Sequence, residues 1–134
     1  MDRLTKEQRS RTMSKIRSAG TGFEKKIFRE LRKRDVYFKT HYSRIIGKPD
    51  IALPKFHKAV FLHSDFWHGW QFSRWKKILP SDFWKIKITK NRKRDAKVTR
   101  TLRRMNWSVI VIWEHQINNN FNLMVNKLIK FLKK

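Results

Sequence analysis

The sequence predicts an α/β fold, a three-layer sandwich with a small mixed sheet and helices on both faces. Three observations predict it. Short apolar runs rich in β-branched and aromatic residues recur at 36–42, 50–53, 58–63 and 107–113, each too short to be a buried helix. Helix-period apolar spacing occurs before, between and after them, at 22–34, at about 82–104, and through Leu123, Leu128 and Leu132. "GTG" at 20–22, Gly47, Pro49 and "NNN" at 118–120 punctuate these segments.

Taken in order, residues 5–18 have helical spacing but only Leu4, Met13 and Ile16 as apolar anchors. Two readings stand: an arm, residues 1–20, that folds against a partner, or a frayed terminal helix. The remainder, 21–134, reads as one domain, since a chain of 134 residues with 40% hydrophobic content can bury one core. After "GTG", with Thr21 or Gly22 as a cap, Phe23, Ile27 and Leu31 form a core stripe, and Glu24 lies beside it. "VYFKTHY" (36–42) reads as a strand, "DIAL" (50–53) and "KAVFLH" (58–63) as adjacent central strands joined by "PKFH". A long aromatic loop, 64–80, follows. Ser81 can cap a helix carrying Phe83, Ile86, Val98, Leu102 and Met105 on its apolar side. "WSVIVIW" (107–113) reads as a strand buried on both faces, then a loop ending in "NNN", then a closing helix.

Charge is the strongest compositional signal. Lys and Arg number 34 against 10 Asp and Glu, a formal +24. Self-repulsion of that size destabilises a small domain unless a polyanion neutralises it. Double-stranded DNA is the expected partner, since Lys and Arg contacts to phosphate release counterions. An anionic membrane surface is the rival reading, disfavoured because the basic residues are interleaved with aromatics. The longest apolar run, "VIVIW", is far short of the roughly 20 residues that span a bilayer, so no membrane span is expected. The N-terminus has no secretory core, and a cytoplasmic, nucleoid-associated monomer is the expectation. Between Lys85 and Arg104 stand ten basic residues and one acid, Asp95. The run is either a solvated face or a phosphate-facing surface, the latter favoured and carrying Lys90, Asn91, Arg92 and Arg94. Cysteine is absent, which excludes disulfides, thiolate nucleophiles and cysteine-based zinc sites.

Chemistry concentrates in "GKPDIALPKFHKAVFLHSDFWHG", residues 47–69. Asp50 opens one strand and His63 ends its neighbour, so the two can converge. A carboxylate there suits Mg²⁺, and a salt bridge or turn role stays open beside it. His63 and His68 flank "SDFW", and imidazole suits proton transfer near neutrality. Phosphodiester hydrolysis needs a metal to stabilise developing charge and a base to activate water, and one carboxylate with two histidines can meet both needs. Phe66 and Trp67 are either loop anchors or wedges that unstack base pairs.

"GKPDIAL", "FLHSDFWHG", "FWKIKITKNRKRD" and "WSVIVIWEH" occur in the order and at the spacing of the very short patch repair endonucleases, which cut beside the T of a T:G mismatch, and the chain resembles that family from about Thr12 to His115. "PD", "FWHG", "KN" and "RD" together carry the resemblance. It implies a type II restriction endonuclease-like core and a Mg²⁺-dependent nick that leaves a 5′-phosphate. It implies Asp50 as a metal-binding aspartate, the main-chain carbonyl of Leu62 as a second metal contact, and His63 and His68 around the attacking water, with His68 the base. Glu24 supports the site. Phe66, Trp67 and Trp84 enter the duplex from the major groove and Met13 from the minor groove. Family members commonly hold a structural zinc at positions that here are Asp65, Trp70, Phe72 and His115. With two possible ligands among four, no structural zinc is expected, and apolar packing by Trp70 and Phe72 is expected to replace it. The rival functions are a nuclease of the same fold acting on matched duplex, as restriction and homing enzymes do, and a non-catalytic basic DNA-binding protein.

Overall fold

A computed structural model describes residues 22–66, 68–70 and 82–133. The N-terminal arm with Met13, and Trp67, Phe72 and Ser81, lie outside the described residues. Helix α1 covers 22–33. Strands β1 (Lys39–Thr40), β2 (Ile51–Leu53) and β3 (Lys58–His63) follow, then helix α2 (Asp82–Arg104), strand β4 (Ser108–Trp113) and helices α3 (Glu114–Asn119) and α4 (Phe121–Lys133). The four strands form one mixed sheet in the order β1-β2-β3-β4. β1 and β2 pair antiparallel, as do β2 and β3, while β3 and β4 pair parallel with Val60 opposite Ile110 and His63 opposite Trp113. A parallel pair needs a long crossover, and α2 supplies it.

Period-two alternation in β3 sends successive side chains to opposite faces, and two apolar clusters result. Val60 and Leu62 join Ile51, Leu53 and Ile112 under α1 (Phe23, Ile27, Leu31), Ile117 of α3 and α4 (Met124, Val125, Leu128, Leu132). Ala59, Phe61 and Val109 face Val98 and Leu102 of α2, with Trp107 closing the edge. His63 continues the Ala59, Phe61 series and so lies on the α2 side. Each fully buried Leu or Ile contributes about 1.5–3 kcal/mol, which is what holds charged helices of this composition on the sheet. At the end of α4, Lys58 donates from Nζ to the Phe131 carbonyl at 2.7 Å, a cation placed where helix carbonyls are otherwise unpaired.

Several expectations need correction. Of 36–42 only Lys39–Thr40 pairs, because His41 takes a left-handed φ of 45° and turns the chain out of the sheet. β4 is buried only in part: Val109 and Ile112 are buried, but Ser108 is exposed. The stretch after it is helix α3 rather than loop, with Gln116 Oε1 accepting the Trp113 backbone N–H at 2.9 Å in the manner of a capping residue. In α2 the buried side runs through Trp84, Ile88, Val98 and Leu102, while Phe83, Ile86 and Met105 are exposed. Leu123 of α4 is likewise exposed, and Met124 and Val125 take its place in the core.

Candidate active site

β2 starts opposite Val60, so the backbone of β3 beyond that point has no β2 partner. The side chain of Asp50 fills the gap, its Oδ2 accepting the Leu62 backbone N–H at 2.7 Å. Asp50 and the Leu62 main chain are thus joined, through the Leu62 N–H rather than through its carbonyl. From α1, Glu24 reaches the same spot. His41 arrives from the turn after β1, its own N–H bound to the Asp50 carbonyl at 3.0 Å. His41 Nε2 lies 3.5 Å from Glu24 Oε2 and 4.0 Å from Asp50 Oδ1, and the three groups offer ligand atoms within 4.8 Å of one another. Burial pushes the Asp50 carboxyl up to about 8, and a hydrogen bond shared with Glu24 adds to the rise. Two carboxylates held this close without a cation resist ionising together. The donor chemistry therefore fits a divalent cation.

The loop that carries Asp50 is pressed against α2. Gly47 has φ 83°, and a Cβ there would lie 2.2 Å from Val98 Cγ1. Only glycine combines that conformation with that approach.

A second group sits across the cleft. His68 Nδ1 is 2.6 Å from Asp95 Oδ2. A carboxylate only accepts, so Nδ1 is the donor, and in the neutral ring the lone pair is on Nε2. His63 stacks on His68 with ring centroids 3.8 Å apart and planes 3° from parallel. Buried to 6% exposure, its Nδ1 has no hydrogen-bond partner among the described residues. Burial, then the neighbouring His68, lowers the His63 pKa to about 3, so the ring stays neutral. His63, His68 and Asp95 also have ligand atoms within 4.8 Å. Parallel stacked imidazoles hold their in-plane lone pairs in two parallel planes, however, and so do not aim at one ion. The arrangement leaves His68 oriented by Asp95 on one side and stacked on a neutral His63 on the other.

One cleft of about 880 Å³ is lined by Glu24, His41, Asp50, His63, His68 and Asp95, and α2 adds Lys87, Asn91 and Arg94 to its wall. Of the basic run, then, Asn91 and Arg94 line this cleft together with Lys87. Arg92 lines a smaller cavity beside His68, Gly69 and Trp70, and Lys90 lines neither. Phe66 is half-buried and meets Trp84 edge-on at 5.5 Å. Trp84 itself is 2% exposed, behind Phe66 rather than at the surface.

At the rear of the loop, His115 Nδ1 is 2.7 Å from Asp65 Oδ1 and Trp70 stacks on the imidazole at 3.7 Å. The Asp65 N–H in turn donates to Glu114 Oε1 at 3.2 Å. The two possible zinc ligands are thus bonded to each other under an indole, a donor set that does not fit a tetrahedral zinc.

Sequence reasoning missed His41 and Asp95. Asp95 had a signal: counting back from Leu102 and Val98 at helical spacing reaches Asp95, Asn91, Ile88 and Trp84. A carboxylate and an amide within an otherwise inward apolar stripe mark a site. His41 had none, since a histidine at positive φ is not written in the residue pattern.

Two carboxylates beside a histidine, in a cleft with Lys48, Lys87 and Arg94 in its wall on a chain of formal charge +24, suit chemistry on a polyanion, which makes nucleases the class to compare. The sequence profile of the DNA mismatch endonuclease Vsr family matches residues 1–74. Type II nicking enzyme V.NmeAIP of Neisseria meningitidis serogroup A is 35% identical over 137 residues, covering 98% of this chain and 96% of its own. Type II nicking enzyme V.NmeDIP of serogroup C is 32% identical over 130 residues, 96% and 88% of the two chains. DNA mismatch endonuclease Vsr of Escherichia coli K12 is 29% identical over 110 residues, 81% and 70%. The chain belongs to the DNA mismatch endonuclease Vsr family, and with that family it is a DNA endonuclease. No helix among the described residues is long and apolar enough to cross a membrane.

Proposed function

We propose that this protein is a Mg²⁺-dependent endonuclease that nicks one DNA strand next to the T of a T:G mismatch, leaving a 3′-hydroxyl and a 5′-phosphate. The observation that carries the reading is the meeting of the Asp50 and Glu24 carboxylates and the Asp95-oriented His68 in one cleft, with Lys48, Lys87 and Arg94 in its wall. Asp50, the main-chain carbonyl of Leu62 and the supporting Glu24 are the groups that would hold the ion. Bound Mg²⁺ supplies stabilisation of the charge that develops on the phosphoryl oxygens. His68 accepts the proton of the attacking water at Nε2, and Asp95 stabilises the imidazolium that forms, while neutral His63 fixes the ring plane by stacking. Water attacks phosphorus as His68 takes its proton, the bond to the 3′-oxygen breaks, and the departing 3′-oxygen takes a proton from solvent to become the 3′-hydroxyl while the 5′-phosphate is released.

Lys87, Asn91 and Arg94 from the cleft wall, with Lys90 and Arg92 beside them, bind the duplex. Phe66, backed by Trp84, and Trp67 enter it from the major groove, and Met13 in the arm formed by 1–20 enters from the other side. Residues 21–134 act as one domain with a type II restriction endonuclease-like three-layer core, working as a monomer on nucleoid DNA in the cytoplasm, with Asp65, Trp70 and His115 in place of a structural zinc.

The test is a Mg²⁺-dependent nicking assay over a panel of mismatched and matched duplexes. Nicking confined to T:G supports the reading, and equal rates on T:G and matched DNA remove the mismatch claim in favour of a nuclease of ordinary duplex. A parent protein that binds DNA without cutting any duplex would leave the non-catalytic binder.

A further inference from the structure

The acid group at Asp50 contains a nitrogen that the reading above does not use. We infer that His41 is a further metal ligand, through Nε2, and that the centre consequently takes Mn²⁺ more tightly than Mg²⁺. This rests on the reading of Asp50 as the metal-binding carboxylate.

Three observations carry it. His41 Nε2 stands 3.5 Å from Glu24 Oε2 and 4.0 Å from Asp50 Oδ1. Those distances are long for strong hydrogen bonds. They suit donors around one ion, because ligands about 2.2 Å from a cation lie roughly 3 Å apart when adjacent and about 4.4 Å apart when opposite. The backbone carries the imidazole there: His41 holds φ at 45°, and its N–H is bound to the carbonyl of Asp50 itself. Phe28 meets the imidazole edge-on at 5.7 Å and 76°, limiting the rotation of the ring. In a protein of formal charge +24, two carboxylates and an imidazole converging in the cleft form a mixed oxygen and nitrogen donor set. Oxygen donors suit Mg²⁺, whereas an imidazole nitrogen adds affinity for first-row transition ions and little for Mg²⁺.

Binding of Mn²⁺ and of Mg²⁺ to the full chain without DNA decides the matter, with free Mn²⁺ counted by electron paramagnetic resonance and Mg²⁺ followed by calorimetry. The informative variant is His41→Asn, because asparagine tolerates a positive φ and offers an oxygen in place of the ring nitrogen. Circular dichroism and salt-dependent DNA affinity check that it folds. The parent is expected to bind Mn²⁺ more tightly than Mg²⁺, and His41→Asn to lower the ratio of the two affinities about tenfold, the size of effect that ligand-sphere changes produce. An unchanged ratio overturns the inference, as does an equal loss of both ions, which is what a purely electrostatic or packing role of His41 gives. Asp50→Asn separates the two levels: if it binds Mn²⁺ like the parent, the metal reading of Asp50 itself fails. If Asp50→Asn loses the ion and His41→Asn keeps the parent ratio, only the role of His41 fails.

Discussion

Glu24, His41 and Asp50 on one side of the cleft and His63, His68 and Asp95 on the other each bring ligand atoms within 4.8 Å, yet similar residue types are arranged and charged differently in the two. In the first group two carboxylates crowd together, and burial raises the Asp50 carboxyl to about 8. In the second, one carboxylate takes the Nδ1–H of His68 at 2.6 Å and a parallel His63 is driven neutral, to about 3. Excess negative charge looks for a cation, whereas a satisfied Asp-His pair holds a proton acceptor in one tautomer. Inventory alone does not separate the two; ring planes and shared hydrogen bonds do.

The largest effect expected from breaking this division is at Asp50. Asp50→Asn should lower the nicking rate by about a thousandfold or more, since several kcal/mol of charge stabilisation go with the ion, while DNA affinity in a gel-shift titration stays within a few fold. A variant that cuts at a tenth of the parent rate would place the cation elsewhere. On the other side, Asp95→Asn keeps the shape of the residue but can stabilise the opposite His68 tautomer. A loss of kcat of about 10²–10⁴-fold is expected, with metal affinity unchanged in the calorimeter. Loss of metal binding in this variant would merge the two groups into one site.

Stability against pH distinguishes them by sign. The folded-state pKa of Asp50, about 8, lies above its ordinary 3.8, so between those values the folded protein holds more protons than the unfolded one. Asp50 therefore costs stability as pH rises through that window. His63 is the reverse. Its pKa of about 3 lies below the ordinary 6.5, so stability is lost as pH falls from 6.5 towards 3. In chelator, Asp50→Asn should be more stable than the parent at pH 9, by on the order of a few kcal/mol, and gain little at pH 4. His63→Gln, a neutral replacement, should flatten the acid side only. Urea midpoints across pH 4–9 measure both, and parallel curves for Asp50→Asn and parent would refute the crowded-carboxylate account.

Legibility of the sequence followed the length scale of each cause. β3 was readable to the residue, Lys58–His63, because every side chain after Lys58 is buried and the run stops at turns on both sides. α2 was readable in extent but not in facing, since the adjacent Phe83 and Trp84 point about 100° apart on a helix and the larger ring is the one buried. That slip hid Asp95. Asp50, His63 and His68 stood out by residue type and strand-end placement and took their roles from the motif resemblance, Leu62 came from the resemblance alone, and the structure brings Asp50 against Leu62 and His68 against His63. His41 was missed because a single left-handed residue, set by tertiary hydrogen bonds to Pro49 and Asp50, converts the end of an apparent strand into part of the site.

The smallest expected effect sharpens what holds the His68 loop in place. Asp65, Trp70 and His115 tie the loop after β3 to the start of α3 through a 2.7 Å hydrogen bond and a ring stack at 3.7 Å. Truncation in His115→Ala removes both contacts, together worth about 1–3 kcal/mol, so a Tm lower by several degrees is expected. Because Asp65 and His115, the two possible zinc ligands, are bonded to each other, the parent should keep its Tm when dialysed against a zinc chelator, and purified protein should carry zinc well below one equivalent by elemental analysis. A chelator-dependent fall in Tm, absent from His115→Ala, would show that a metal ties the loop after all. With the clasp cut, His68 still has Asp95 and His63 as partners. The nicking rate of His115→Ala should therefore fall only about tenfold below parent, far less than for Asp95→Asn, because the clasp acts on the loop and not on the imidazole.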